Sequence, residues 1–228
     1  MKKIHRFLQT DKKDYGTSVI TETRIVHQIA HVLQLKEGEQ IQLFYDREEE
    51  RTVTITKLSK KEIHYSAYSS RTIPPPSRNV IAALALTKHD SFELAVQKLS
   101  ELGIAEIIPL ITKRTIKKDV RLERLQRISD EAVELSGSVQ RVQIHPPTTI
   151  ETLLSTTTLP IIVCDINGST TMPSSQKSLL YICGPEGGLT EDERVLLTER
   201  GATGLRLAPT TLRAETAGIL AGYLLIWH

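Results

Sequence analysis

At 228 residues the chain is long enough for one large domain or two modest ones, each with ample core. Its 39% hydrophobic and 25% charged content is ordinary for a soluble globular protein, and a formal net charge of +2 is too small to argue for nucleic acid by itself. No apolar run approaches the roughly 20 residues of a bilayer span, and the first residues lack the apolar stretch of a signal peptide. The two cysteines, Cys164 and Cys183, sit in strand-like runs, so a reduced, cytoplasmic protein with buried thiols is expected rather than a disulfide or a metal site.

The first part of the chain reads as β-rich, with strands expected at 4–9, 18–21, 40–45, 52–58 and 63–68, several showing period-two alternation. Residues 46–51 form a charged hairpin connection. Between 23 and 35 the spacing of Ile25, Ile29, Val32 and Leu33 is helical, and Gly38 closes it. One short helix among five strands suggests a small barrel. His27 and His31 lie one helical turn apart, but no further ligands stand at matching spacing, so a surface or packing role is expected. The stiff run Ile73-Pro74-Pro75-Pro76-Ser77 then marks a boundary, dividing the chain into domains 1–72 and 73–228.

Beyond it, strands alternate with helices. Strand 80–86 leads to helix 91–102, ended by Gly103; strand 106–111 leads to helix 121–135, ended by Gly137. A short strand at 142–145 is followed by a helix at 150–154, capped by Thr148 and Glu151, and then a strand at 160–166. Residues 167–177 are polar and aperiodic, hence a loop. Strands 178–183 and 203–207 flank a helix at 194–200, and a final helix covers 212–227. This rhythm predicts an α/β domain: a mostly parallel sheet with helices on both faces.

The most informative stretch is Gly184-Pro185-Glu186-Gly187-Gly188-Leu189-Thr190-Glu191-Asp192-Glu193. It leaves a strand, turns through three glycines and enters a helix whose Thr190 and Glu193 form a capping box. Glycines let a backbone approach a ligand closely, and helix-start amides point outward. Leu212-Arg213-Ala214-Glu215-Thr216-Ala217 repeats the situation at the next strand end. Both loops should open at the carboxyl edge of the sheet, where ligands of open parallel sheets collect. Arg213 and Glu215 are either site residues or a solvated helix start with a dipole-complementary glutamate. Ala214, Ala217, Gly218, Ala221 and Gly222 form a small-residue face for close packing, a dimer interface being one version. Basic residues cluster at Lys113, Arg114, Lys117, Lys118, Arg121, Arg124 and Arg127, and again at Lys2, Lys3, Arg6, Lys12 and Lys13. They suit phosphates or a solvated face, without the aromatic interleaving that stacks single-stranded bases. There is no phosphate loop of NTPases, no dinucleotide fingerprint after the first strand, no serine-hydrolase elbow and no zinc-type Cys/His spacing.

The pattern G-P-E-G-G-[LF]-[ST]-x-x-E followed by L-x-x-x-x-L-R-x-E-T-A, present as 184–193 and 207–217, resembles the RsmE family of the SPOUT superfamily. Lys98-Leu99-Ser100-Glu101-Leu102-Gly103 is similar to that family's K-x-x-E-L-G, and the likeness spans nearly the whole chain. The resemblance implies a trefoil-knotted SPOUT domain at 73–228, a PUA-like RNA-binding barrel at 1–72, and a homodimer. It implies S-adenosylmethionine as cofactor and N3 of a uridine in 16S ribosomal RNA, or in the small subunit, as target. A related enzyme acting on a different RNA position and a catalytically weak RNA-binding homologue are the rival readings.

By the same resemblance Arg213, held by Glu215, stabilises charge on the target base, and Glu186 orients substrate or takes its proton. Ile182, Cys183, Gly184, Pro185, Gly187 and Gly188 would contact the cofactor from one loop. Leu207, Ala208, Leu212, Thr216 and Ala217 would do so from the other. Arg6, Lys88, Lys98, Arg114, Lys117 and Arg141 are the expected RNA contacts, and no metal is expected. The chain departs from the family at Gln34, Leu135, Ser138, Val142 and Ala208.

Overall fold

A computed structural model of the chain describes residues 4–11, 17–45, 49–74, 76–116, 119–138, 140–172 and 176–228. By their internal contacts the residues fall into two units, Met1–Pro75 with Val133–Arg141, and Pro76–Ala132 with Val142–His228.

The first unit holds β1 (His5–Leu8), β2 (Val19–Ile20), α1 (Thr23–His27), β3 (Gln40–Phe44), β4 (Glu50–Leu58) and β5 (Ile63–Arg71). They form one sheet in the order β1-β3-β4-β5-β2, with β1 parallel to β3 and the other pairs antiparallel. Alternating residues of these strands, with Ile25, Val26 and Ile29 from the helix, make its core. The expected helix is shorter than its apolar spacing implied: α1 widens into a π-type turn over Gln28–Val32, and Gln34 adopts a left-handed φ of 51°. β5 is longer than expected: one bulge in β5, between Ala67 and Ser69, and one in β4, between Ile55 and Lys57, keep the ladder paired out to Glu50–Arg71. Half of the charged connection at 46–51, residues 46–48, lies outside the described residues.

Arg6, expected to contact RNA, is drawn inside this unit. Its Nε donates to Glu50 Oε2 at 2.6 Å, and its two terminal nitrogens donate to the carbonyls of Val133, Glu134 and Ser138. Its guanidinium lies 4.5 Å from the Phe44 ring centre. Glu50, 1% exposed, also accepts from Arg71 Nε at 2.7 Å. Glu134 accepts from the Leu8 amide and from Arg24, each at 2.8 Å. Residues 133–138 are thereby fastened to β1 by charge-assisted bonds.

The second unit contains β6 (Asn79–Ala85), α2 (His89–Leu102), β7 (Glu106–Ile111), α3 (Leu122–Ser136, counted in the first unit from Val133 on), β8 (Gln143–Ile144), β9 (Thr148–Thr149) and α4 (Ile150–Thr156). It continues with β10 (Ile161–Ser169), β11 (Ser178–Cys183), α5 (Glu191–Glu199), β12 (Thr203–Leu205) and α6 (Ala214–Trp227). The sheet runs β12-β10-β11-β6-β7-β8, all parallel, with β9 also pairing β7. β6 and β11 are buried along nearly their whole length, as central strands covered on both faces must be. On one face Ile81, Ala83, Leu180 and Ile182 pack with α4 and α5; alternation then turns Leu84 and Tyr181 toward α6.

Local chemistry sets two boundaries differently from the expectation. Thr149, not Thr148, caps α4, its hydroxyl accepting from the Thr152 amide. β10 runs on through residues expected to be loop, since Gly168 brings its backbone against β12. A Cβ there would stand 2.5 Å from the carbonyl carbon of Gly204. The small-residue face of α6 is used within the unit. Tyr181 donates to the Gly218 carbonyl at 2.8 Å, and a Cβ at Gly222 would meet Leu99 Cδ2 at 2.3 Å. Gly222→Ala should therefore cost about 1–3 kcal/mol by overpacking, read as a lower urea midpoint at unchanged slope. Among the described residues no helix is long and apolar enough to cross a membrane.

Candidate active site

The glycine-rich loop begins where β11 ends. The Gly188 amide donates to the Pro185 carbonyl at 2.8 Å, closing a tight turn, and Gly188 has a φ of 70°, which favours glycine. Leu189 tucks under the turn, 6% exposed and against Gly184. Then α5 starts with both halves of the capping box formed. Glu193 Oε2 accepts from the Thr190 amide at 2.7 Å and from its hydroxyl at 3.0 Å.

The other oxygen of that carboxylate reaches a different loop. Glu193 Oε1 accepts from the Lys113 amide at 2.8 Å, just after β7. Beside it, Arg114 Nη1 donates to the Gly187 carbonyl at 2.5 Å, and Lys113 Nζ pairs with Asp192 at 2.7 Å. The exposed Lys113 ammonium holds Asp192 below the usual carboxylate range. Glu193→Gln leaves the cap half made and removes the charge that the Lys113 amide meets. The expected cost is about 1–3 kcal/mol of stability, measurable by urea unfolding.

The second loop, 206–213, runs from β12 to α6. With the first it bounds a cavity of about 550 Å³ at the carboxyl ends of β10, β11 and β12. Cys183, Gly184, Pro185, Gly187 and Gly188 line it from one side. Leu207, Ala208, Leu212 and Ala217 line it from the other, and Glu186 and Arg213 stand at its rim. Ile182 lies beneath the cavity in the core, and Thr216 is exposed on α6. Glu215 borders a narrow crevice next to the cavity instead, with Gly184 and Ala214.

Arg213 caps α6 by its backbone, whose carbonyl accepts from the Ala217 amide. Its exposed side chain forms no ion pair with Glu215 or any other described residue, so the expected hold of Arg213 by Glu215 is not made. Among the expected RNA contacts, Lys88 is exposed just before α2. Lys98 pairs with Glu101, Arg114 is committed to Gly187, and Arg141 is half-buried in the first unit. Lys117 lies outside the described residues.

Sequence reasoning missed the wall from β10. Cys164, Asp165 and Ile166 line the cavity, and Asp165 is ion-paired with Arg194 of α5, which lines it too. The signal available was positional: β10 is a third strand whose carboxyl end opens at the same edge. Cys164 and Cys183 sit side by side on the cavity floor; the neighbouring thiol and burial push Cys164 well above its ordinary value, so it stays protonated. Cys183 donates to the Ala214 carbonyl at 3.4 Å. His27 and His31 have ring centres 5.2 Å apart, with no metal-binding group of three donors among the described residues.

Comparison with known proteins places this architecture. An RNA methyltransferase domain model matches residues 74–226, and an RNA methyltransferase PUA domain model matches residues 20–65. The ribosomal RNA small subunit methyltransferase E of Rickettsia conorii is 30% identical over 204 residues, covering 86% of this chain and 84% of its own. Its Bacillus subtilis namesake is 31% identical over 220 residues, with the same coverage of 86% and 84%. The crystal structure of ribosomal RNA small subunit methyltransferase E from Neisseria gonorrhoeae, bound to S-adenosyl methionine, superposes with a TM-score of 0.87 at 25% identity. It covers 99% of this chain and 98% of its own. Two domain models in the expected order, together with close relatives over most of the length, establish that the chain belongs to the RsmE family of RNA methyltransferases.

Proposed function

We propose that this protein methylates N3 of a uridine in 16S ribosomal RNA, using S-adenosylmethionine, in the cytoplasm and as a homodimer. The observation that carries the reading is one cavity bounded by both motif loops, with Arg213 at its rim. Its volume of about 550 Å³ lies within the range of ordinary small-molecule sites. The donor set fits the cofactor: apolar Leu207 and Leu212 for the adenine ring, and backbone amides of Gly184 and Gly188 for its polar edge. Pro185, Gly187, Ala208 and Ala217 complete the walls.

Bound S-adenosylmethionine supplies an electrophilic methyl group on a sulfonium. The chain's task is to make N3 of the uridine a nucleophile and hold it in line. N3 is a weak acid, and its negative charge spreads onto the two ring carbonyls as the proton leaves. A guanidinium at the rim stabilises that charge, which is the role of Arg213. Glu186 shares the rim and serves as proton acceptor, while Glu215 borders the crevice where it orients the base. Domain 1–72 is the RNA-binding part and 73–228 the methyltransferase, with Lys88, Arg114, Lys117 and Arg141 meeting phosphates. The return of the chain from β12 to α6 forms the trefoil knot, and Tyr223 and Trp227, 43% and 54% exposed on α6, are covered by the second copy.

The test is nucleoside mass spectrometry of small-subunit RNA from a strain lacking the gene. Loss of 3-methyluridine, restored by the gene, is the expected result. Loss of a different methylated nucleoside would move the target, and no loss would remove the activity.

A further inference from the structure

A second cavity, of about 260 Å³, opens beyond the end of β6 in the methyltransferase unit. Its floor is apolar: Leu86, Phe92 and Leu125 are at most 4% exposed there, with Val120 beside them. Its rim is charged. Glu93 is occupied, its carboxylate holding Arg124 Nη2 at 2.8 Å and Arg124 Nε as well. Asp90 and Asp119 make no hydrogen bond or ion pair with the described residues and remain available as acceptors. His89 and Arg121 complete the edge.

Between this cavity and the methyl-donor site lies a narrow crevice that shares wall residues with each. The crevice, bordered by Glu215, has Thr87 and Phe92 in common with this cavity, and Cys183, Gly184 and Ala214 in common with the donor cavity. A polymer with one residue at the donor cavity could therefore seat a neighbouring residue here.

The chemistry of the rim selects the occupant. With Glu93 and Arg124 paired to each other, Asp90 and Asp119 outweigh Arg121 at the rim, which disfavours a phosphate. No group of three donors that could hold a metal occurs among the described residues. An apolar floor with acceptors at its edge suits a flat ring that carries N–H donors, as carboxylates accept from the exocyclic amino group of cytosine. We propose that this cavity binds an unstacked RNA base bearing an exocyclic amino group, a nucleotide close to the methylated one, with Asp90 and Asp119 accepting from it. The inference rests on RNA being the substrate and adds a base-reading subsite to that function. Uracil presents no amino group, so the subsite and the target site discriminate between bases in opposite senses.

Titrating cytidine, adenosine and uridine into the full chain, with methyl signals of Leu86, Val120 and Leu125 followed by NMR, tests it directly. Cytidine or adenosine should shift those signals with an affinity about fivefold or more above that of uridine, since an exocyclic amino group offers the two carboxylates two donors where the uridine ring offers only N3–H. The double variant D90A/D119A, which removes both acceptors, should abolish the difference, and should raise the KM for RNA about tenfold with kcat little changed. Its S-adenosylmethionine affinity, measured by calorimetry, should match the parent, which separates lost base reading from lost folding. Equal shifts with uridine, no shifts at all, or a preference that survives D90A/D119A would overturn the subsite. Failure of the parent to methylate any RNA would instead remove the proposed function and leave the nucleoside titration standing.

Discussion

Arg213→Ala should lower the turnover of methyl transfer by about 10²–10³-fold while changing S-adenosylmethionine affinity by less than about threefold. The split follows from where the residue stands. Its backbone caps α6 and is kept by alanine, so the loop that lines the donor cavity retains its shape. Its side chain has no partner among the described residues, so removing it strands no buried acceptor there. What disappears is a cation at the rim, and a cation matters most when the uridine ring carries negative charge. Arg213→Lys should recover only part of the loss, because an ammonium restores charge without the planar fork that can meet a carbonyl squarely. Single-turnover kinetics beside calorimetry make the measurement. Unchanged turnover in Arg213→Ala would take the residue out of the mechanism.

Arg6→Ala should destabilise the first unit by about 3–5 kcal/mol, the range for breaking a buried ion pair from one side. Glu50 is left in the interior with only Arg71, whose side chain is 62% exposed. The carbonyls of Val133, Glu134 and Ser138 lose their donor at the same time. Urea unfolding followed by a probe in the first unit reads the loss. Glu50→Gln should cost less than Arg6→Ala, because the amide oxygen still accepts from a guanidinium while the three carbonyls keep their donor. A variant Arg6→Ala that is stable but binds RNA poorly would return Arg6 to the nucleic-acid face.

These two arginines mark the limits of reading the sequence. The place of Arg213 on the cavity was legible because it sits in a local pattern: a strand, a turn, then a helix start, all within a dozen residues. The glycine loop and its capping box were legible for the same reason, since Thr190 and Glu193 act on each other across one helical turn. Arg6 was not, because its partners lie 44 and 127 or more positions away, and no local rule reaches so far. Asp165 and Arg194 were missed likewise: their meeting depends on β10 lying between β11 and β12 in the sheet. The extension of β10 through Gly168 was hidden for the opposite reason. Polar, glycine-bearing residues look like loop until another backbone, at Gly204, is seen to need the space that a side chain would fill.

Glu193 has a mechanical consequence. One buried carboxylate clamps the Lys113 amide with one oxygen and Thr190 with the other, while Arg114 reaches over to the Gly187 carbonyl. The turn after β7 that carries Lys113 and Arg114 and the bend that frames the methyl donor are thus a single mechanical part. A polyanion pulling on that turn tugs at the bend as well. Thermodynamic reciprocity then requires that whatever factor the nucleic acid adds to donor affinity, the donor adds to nucleic-acid affinity. Severing the clamp should leave two ligands that bind as strangers.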